Sequence, residues 1–466
     1  MKTLIGFCLW ASVMQFAVFA EAGPPKNVLL ILTDDMSDAL GCYGNKVVKS
    51  PNIDALAARG VRFINANANY PSCNGSRSSL LSGVYPESAK TYFNTDNPRT
   101  YLGRDWVMLQ EHFDNNGYFT ARVGKVAHDT VTSEYRWDLQ VEVGPATGTL
   151  PPVTNLASGG VGTWAWAATN QRDEETTDGR NARYVAQLLE QHQGEPFFIA
   201  LGFRKPHTPW VVPQTHFNKY SVSAIKLPLE LGEPADDRND IPSHAVFRSA
   251  DAPLDEWLRL GSDDERRRAI LAAYASYSFV DAGVGIILNE LTRLNLWENT
   301  VVVFASDHGY HFGEHGGLIA KETVFAESTR IPLIIVAPGK SVRSVASAPV
   351  ELLDLYPTLA ELCELPVPAE NEGVSLVPYL DNPATAKTSG PAYSIVRKSA
   401  FGRSIRTGIY RYTEWSWGDT LTAAELYNLQ ADPGEFTNQI SNSSYATVLT
   451  SLKLKLQEAK SRPLPR

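Results

Sequence analysis

Cysteine is scarce in this chain of 466 residues: there are four, and Cys8 falls inside an N-terminal apolar run. The other three, Cys42, Cys73 and Cys363, are scattered and odd in number. That excludes a fold held together by disulfides. At least one thiol is free or chemically changed, while Cys42 and Cys363 are open to either pairing or separate burial. Positive charge is in deficit too. Asp and Glu number 51 against 42 Lys and Arg, for a formal net charge of −9. This argues against a nucleic-acid partner, because phosphate binding needs clustered cations. A small anion held by a local positive field is still allowed. Past Ala20 no apolar run is long enough to cross a bilayer, and there is no internal repeat.

The N-terminus has the make-up of a targeting segment. Lys2 precedes an apolar run from Leu4 to Ala20, and Val18-Phe19-Ala20 offers a cleavage site ahead of Glu21. Residues 1–20 are expected to be a signal peptide, and the protein to be exported, either periplasmic or secreted. The run is short for a membrane anchor, and Cys8 lies in its middle, not at its end where a lipid would be attached.

Short runs of Val, Ile and Leu bounded by turn residues read as buried strands. They are Asn27–Thr33, Phe119–Val123, Pro196–Gly202, Thr300–Ser306 and Ile331–Ala337. Helical patterns lie between them, at Asn52–Arg59, Ala182–Gln191, Glu265–Leu294 and Val350–Leu362. This alternation predicts an α/β fold with a large, mostly parallel central sheet sandwiched by helices. Residues 21–385 are expected to form this catalytic domain, and residues 386–466 a small C-terminal α+β unit. In the latter, Ser394–Arg397, Phe401–Arg406 and Ile409–Trp415 alternate like antiparallel strands, with a helix over about Ser444–Lys460 to pack on them. The stretches from about Val141 to Thr177 and Ser221 to Asp255 are rich in turn residues and read as long loops that shape a pocket.

In an open α/β sheet, ligands bind beyond the carboxyl ends of the strands. There the chain places Asp34-Asp35, then Gly124-Lys125 with His128, then Arg204-Lys205-Pro206-His207, then Asp307-His308-Gly309 with Lys321 following. Taken singly, each has an ordinary structural explanation: a helix cap, a solvated lysine, a satisfied histidine, a turn. Repetition at four strand ends favours an active site. Asp34, Asp35 and Asp307 make an oxygen cage for a hard cation such as Ca²⁺ or Mg²⁺, while the nitrogen of His308 suits Zn²⁺ or Mn²⁺ better. Arg77, Lys125 and Lys321 can neutralise a tetrahedral oxyanion, and His128 and His207 suit proton transfer near neutrality.

With these residues in place, the chain resembles the type I sulfatases of the alkaline phosphatase superfamily. The family's nucleophile motif, Cys-x-Pro/Ala-x-Arg before a helix, stands here as Cys73-Asn74-Gly75-Ser76-Arg77, followed by Ser78 to Gly83. Supporting stretches, in family order, are Leu32–Asp35, Gly41–Gly44, Ser50–Asp54, Gly124-Lys125, Ser306–Gly309, Gly313–Gly316 and Glu425–Glu435. Within the family the likeness is to the iduronate-2-sulfatase subgroup, through Leu40–Gly44, Gly124–His128, Lys205–His207, Ser404–Arg406 and the Asp-His pair at 307 and 308.

The resemblance implies a set of roles. Cys73 is oxidised to formylglycine by a maturation enzyme, and its hydrated aldehyde is the nucleophile. Asp34, Asp35, Asp307 and His308 bind Ca²⁺ together with residue 73. Arg77 and Lys125 hold the formylglycine, and His128 takes the proton whose loss expels sulfate. Lys321 and His207 bind the sulfate ester, one of them protonating the leaving oxygen. The implied substrate is a sulfated carbohydrate, with a uronic acid bearing a 2-O-sulfate as the subgroup's suggestion. Arg204, Trp210 and Glu322 flank catalytic positions and are candidates for the sugar pocket, and Trp164 and Trp166 could stack on a sugar face. The departure from the family pattern is Gly75, where Pro or Ala is usual. Two other readings stand beside this one: a phosphomonoesterase or phosphodiesterase on the same scaffold, and an inactive secreted carbohydrate-binding relative whose residue 73 stays a thiol.

Overall fold

The computed structural model describes residues 26–144, 154–155, 165–246, 262–384, 390–398 and 400–461. The expected signal peptide and Trp164 lie outside them. A central sheet is built from β1 (Asn27–Asp34), β2 (Val61–Asn67), β3 (Phe119–Gly124), β4 (Leu139–Val141), β5 (Phe197–Pro206), β6 (Thr300–Ser306), β7 (Arg330–Val336), β8 (Ser344–Ala346) and β9 (Val350–Glu351). Its order is β8-β2-β7-β6-β1-β5-β3-β4, with β9 also on β2. Strands β6, β1, β5, β3 and β4 run parallel. Only β7 runs against its neighbours, β6 and β2. The mostly parallel sheet expected from the sequence is therefore present.

The reason these runs form central strands is their two-sided burial. In β1, Val28, Leu30 and Leu32 face one apolar layer, and Leu29 and Ile31 face the other. The first layer receives α2 (Cys73–Ser82) through Leu80 and Leu81, and α5 (Leu355–Leu362) through Leu355, Leu359 and Leu362. The second receives α1 (Pro51–Ala57), α3 (Thr177–Gln191) and α4 (Asp263–Arg293). By length and composition α4 could cross a membrane, but 83% of its most apolar window is buried, against α1, α3 and β5. The helix expected from Val350 is shorter than read: Val350 and Glu351 pair with β2, and the helix starts at Leu355.

Strand β2 is absent from the sequence reading. Arg62, Asn65 and Asn67 interrupt its apolar pattern, so it lacks the continuous run of a central strand. It matters because it runs parallel to β1 and β6 and so ends at the same edge, four residues before Pro71 and the start of α2.

The C-terminal part is a four-stranded antiparallel sheet of β10 (Ala392–Arg397), β11 (Phe401–Arg406), β12 (Tyr410–Trp417) and β13 (Thr420–Asn428), packed by α6 (Ala446–Lys460). It is tied into the main body. Ile395 N–H donates to Asn69 O at 2.9 Å, and Ser394 Oγ donates to Ala68 O at 2.6 Å. Both acceptors belong to the segment that carries the chain from β2 to Cys73.

All three described cysteines are unpaired. Cys42 packs in the second layer and Cys363 in the first, so the central sheet lies between them and no disulfide can bridge it. The pairing left open by the sequence is thereby ruled out. A peptide map of the folded protein prepared without reductant is expected to contain no Cys42–Cys363 crosslink; finding one would refute this placement.

Candidate active site

Several segments converge at the carboxyl edge of the sheet. β1 brings Asp34 and Asp35, β6 brings Asp307 and His308, β3 brings Lys125, and β2 leads to α2 with Cys73 in its first turn. Asp35 takes a left-handed backbone, φ 69°. Its N–H donates to Asp307 Oδ1 at 3.1 Å, and Met36 N–H donates to Ser306 Oγ at 2.9 Å. These cross-ties lock the ends of β1 and β6 together.

The cluster is a buried lattice of opposite charges. Arg77 is fully buried. Its Nε donates to Asp307 Oδ2 at 2.9 Å and its Nη2 lies 3.5 Å from Asp34 Oδ1. The remaining guanidinium N–H groups donate to the carbonyls of Thr33, Lys125 and Val126. Lys125 Nζ reaches Asp34 Oδ2 at 2.5 Å. Lys321 Nζ reaches Asp35 Oδ1 at 2.6 Å and Cys73 Sγ at 3.1 Å. Burial opposes ionisation of both aspartates, yet Lys125, His207, Arg77 and Lys321 hold Asp34 well below the usual carboxylate range. Asp35 is likewise lowered against burial, chiefly by Lys321. Burial and the Asp34 carboxylate push the Cys73 thiol up to about 12. Without a cation beside it, an unmodified Cys73 is therefore held as a thiol at neutral pH.

His308 tests whether a cation belongs here. It is fully buried, and its Nδ1 faces Gly309 O at 2.9 Å, so that nitrogen carries the ring proton. Nε2 has no hydrogen-bond partner and points at Asp35 Oδ1, 3.3 Å away, and Asp307 Oδ2, 3.6 Å away. Lone pairs facing one another in a buried site call for a positive charge between them. Ligand atoms of Asp34, Cys73, Asp307 and His308 all lie within 4.8 Å of one another. This donor set fits one divalent ion. The second such group among the described residues, Asp35, Cys73 and His207, shares Cys73 with the first, so the two adjoin.

The two proton-transfer candidates sit at its rim. Burial, then Lys125 and Arg77, push His128 down to about 4. His128 Nδ1 lies 2.9 Å from Thr130 Oγ1, whose hydroxyl donates to Asn94 O, and faces the Thr130 backbone N–H at 3.5 Å. His207 Nδ1 meets Thr208 O at 2.6 Å, its Nε2 lies 3.8 Å from Asp35 Oδ2, and burial lowers its value.

The sugar-pocket candidates fare differently. Trp210 is 1% exposed, donates its indole N–H to Pro206 O at 2.7 Å and packs on Tyr310 and Phe312. It is a core residue, not a sugar contact. Trp166 lies in a strand paired with Trp210, not on a loop. Arg204 is engaged by Asp129, at 2.9 and 3.0 Å, and by Glu142, which anchors the segment after His128 to β5. Glu322 follows Lys321, and its carboxylate acts electrostatically on the Tyr70 hydroxyl. Residues not anticipated are Asp129, Ser306, Ser76, which donates to Asp307 O, and Asn74. The Asn74 amide donates to Phe93 O and Asp96 O, each at 2.8 Å. Their short polar side chains beside catalytic positions were the available signal.

Gly75 has a local cause. A Cβ on it would lie 2.7 Å from two atoms of the Tyr70 ring and 2.9 Å from Thr91 O. The ring occupies the space that a proline or alanine would need.

The sulfatase family model matches residues 26–365, well over half of the chain. The chain belongs to the sulfatase family. Residues 313–462 also match the model for the C-terminal part of N-sulphoglucosamine sulphohydrolase. A sulfatase of Formosa agariphila is 31% identical over 479 residues, covering 97% of this chain and 90% of the relative. An iduronate 2-sulfatase of Mus musculus is 30% identical over 523 residues, covering 92% and 93%. Among solved structures, a phosphonate monoester hydrolase of Agrobacterium radiobacter superposes with a TM-score of 0.78 at 21% identity, over 94% of this chain and 96% of its own. That last likeness is one of fold. As a sulfatase, the protein is a sulfuric ester hydrolase.

One stretch of this sulfatase, Gly313–Gly316, lies outside the cage but supports it. His315 is buried with φ 52°. Its Nδ1 donates to Asp237 Oδ2 at 2.9 Å and its Nε2 to Glu327 Oε2 at 3.3 Å, while its ring stacks on Phe325. Against burial, these two carboxylates hold it well above the usual histidine value. Lys321 sits inside the loop that this imidazolium clamps, between Ala320 at φ 64° and Glu322 at φ 71°. Glu322 N–H donates to Pro71 O at 3.0 Å, two residues before Cys73.

Two outcomes follow. The raised His315 value contributes stability in full below its unfolded value of about 6.5, and that contribution fades as pH rises through the raised folded value. The lowered Glu327 value acts in the other sense, contributing fully above about 4.5. His315→Gln is therefore expected to cost about 3–5 kcal/mol at pH 5.5, by denaturant unfolding, and distinctly less at pH 8. A gap that does not narrow contradicts the charged assignment. Gly75→Ala is expected to cost about 1–3 kcal/mol through overpacking. In a Tyr70→Ala background the same change should cost distinctly less, the remainder being the contact with Thr91 O; an undiminished cost would put the clash elsewhere.

Proposed function

We propose that this sulfatase removes an O-sulfate from a sulfated sugar in the manner of an iduronate 2-sulfatase, using a formylglycine made from Cys73 and one bound Ca²⁺. The observation that carries the reading is the paired charge lattice around Cys73, with the unpartnered His308 Nε2 aimed into it. Three carboxylates there are balanced by Arg77, Lys125 and Lys321. A cation held by Asp34, Asp35, Asp307 and His308 would supply the excess positive charge that favours a sulfate monoester and its transition state. The hydrated aldehyde would supply a nucleophile with a second hydroxyl, through which sulfate can depart.

The chain's own groups divide the remaining work. Arg77, pinned by five acceptors, and Lys125 orient the side chain of residue 73. His128, unprotonated at neutral pH, receives the proton. Lys321, kept charged by Asp35 against burial, binds the sulfate. His207, whose lowered value makes its protonated form the more willing donor, protonates the leaving oxygen. The N-terminus of α2 adds a favourable field for the anion. Residues 21–385 carry this chemistry, residues 386–466 form the C-terminal unit, and the mature protein acts outside the cytoplasm after loss of residues 1–20.

A two-metal phosphoesterase is disfavoured because a second ion would need further carboxylate and imidazole ligands, and where they would stand the site places Lys125 and Lys321. An inactive binding relative would leave that residue a thiol. Peptide mass spectrometry over Phe63–Arg77 from the native host should show that Cys73 has lost sulfur and gained oxygen. The same protein should hydrolyse 4-nitrophenyl sulfate, with activity abolished by chelator, restored by Ca²⁺, and reduced on the order of 10³-fold or more by Cys73→Ala. An unmodified peptide together with no turnover would overturn the reading.

A further inference from the structure

A cavity of about 600 Å³ opens beside the C-terminal sheet, walled by Lys90, Tyr92, Arg397, Lys398, Phe401 and Trp417. Its size is that of a ligand site, typically about 300–1,000 Å³. Its chemistry runs against the composition of the chain. Three cations and three aromatic rings line it and no carboxylate does, in a protein of formal net charge −9. Two acids close by are already committed, while a third, Asp419, directly follows the wall residue Gly418. Glu87 is bound by Arg403 at 2.9 Å and by the Tyr393 hydroxyl at 2.7 Å. Asp96 accepts the N–H groups of Tyr92 and Phe93 at 2.7 and 2.8 Å.

The walls are also presented for binding. Arg397 is exposed, and its guanidinium lies over the rings of Tyr92 and Phe93, 5.1 and 5.8 Å from their centroids. Stacking of this kind fixes the guanidinium plane and leaves its N–H groups available to an anion. Trp417, in the wall, is 62% exposed, and Phe93, whose ring the Arg397 guanidinium overlies, is 49% exposed. Stacked cations with open rings are the combination that recognises sugars bearing negative charge, the rings taking the flat sugar faces and the cations the acidic groups.

This wall is tied to the segment that bears Cys73 by contacts inside the protein. The Asn74 side chain, next to Cys73, donates to Phe93 O and Asp96 O at 2.8 Å. The Tyr70 ring lies against Gly75, and its hydroxyl accepts the Arg397 N–H at 3.1 Å. From these placements we infer that the cavity is a subsite for a second anionic sugar, sulfated or carboxylated, of the same oligosaccharide whose sulfate ester lies at residue 73. The inference rests on the sulfated-sugar reading above, and makes the C-terminal sheet part of the substrate surface.

The test uses the full-length protein with Lys90→Gln, Arg397→Gln and Trp417→Ala, singly and together. Three substrates are compared: 4-nitrophenyl sulfate, a 2-O-sulfated uronate disaccharide, and heparin-derived tetrasaccharides with and without sulfate on the sugar distal to the reactive one. The combined variant is expected to raise KM for the tetrasaccharide at least tenfold, about one charge-assisted contact's worth. Turnover of the aryl sulfate and the disaccharide should stay within twofold. A penalty confined to the distally sulfated tetrasaccharide assigns the contact to sulfate, and one shared by both assigns it to carboxylate. An unchanged tetrasaccharide KM, or an equal loss on all three substrates, overturns the subsite. Calorimetric binding of the tetrasaccharide to Cys73→Ala protein, with and without Arg397→Gln, separates the two readings. If no sulfate ester is turned over but Arg397→Gln still weakens binding, the subsite stands and the catalytic reading falls.

Discussion

Charge neutralisation in a place that water does not reach is the constraint on which the rest of this protein depends. Asp34, Asp35 and Asp307 are each 3% exposed or less, and Arg77 is fully buried. Removing such ions from water costs several kcal/mol apiece unless partners are placed with near-ideal geometry. Adjacent strands, about 4.8 Å apart, set the separation of the Asp34 and Asp307 backbones. The guanidinium of Arg77 spans that gap and closes on both carboxylates. Lysines from two other segments complete the balance. Stability and chemistry are thus the same set of contacts: the groups that let the carboxylates be buried are those that would grip an anionic ester.

The convergence of polar groups at one sheet edge was legible because each follows an apolar strand, so the sheet topology alone brings them together. The pieces that escaped did so for physical reasons. β2 is punctuated by Arg62, Asn65 and Asn67, and its burial comes from neighbours that only the fold supplies. β13 hides behind Glu425, a residue that reads as solvent-facing. It is instead buried, where it accepts hydrogen bonds from Trp415 at 2.5 Å and Tyr427 at 2.8 Å. Trp210 was assigned to the cleft by its nearness in sequence to His207, but the strand that carries it turns the indole into the core. Arg204 was assigned by the same nearness, and its acidic partners lie 75 and 62 residues away in the chain. Nearness in sequence locates a segment; it does not say which way a side chain faces.

The C-terminal sheet is more than an appendage. β10 bonds to Ala68 and Asn69 on the approach to Cys73. Glu435 accepts the Ala326 N–H at 2.8 Å and an N–H of the buried Arg411. The segment bearing Cys73 and the loop bearing Lys321 are therefore both held from outside the central sheet. Residues 313–462 carry recognisable family sequence, and of the charge lattice they supply Lys321.

The backbone around Lys321 has a consequence for how such a protein can change. Ala320 and Glu322 both occupy the left-handed region without being glycine, a conformation that costs of order 1 kcal/mol or more at each. That strain is borne so that one ammonium group stays 3.1 Å from Cys73 Sγ. Glycine at either position would relieve it and make the fold more robust, while freeing the lysine to wander. Selection for thermal tolerance and selection for turnover would therefore pull these two residues in opposite directions.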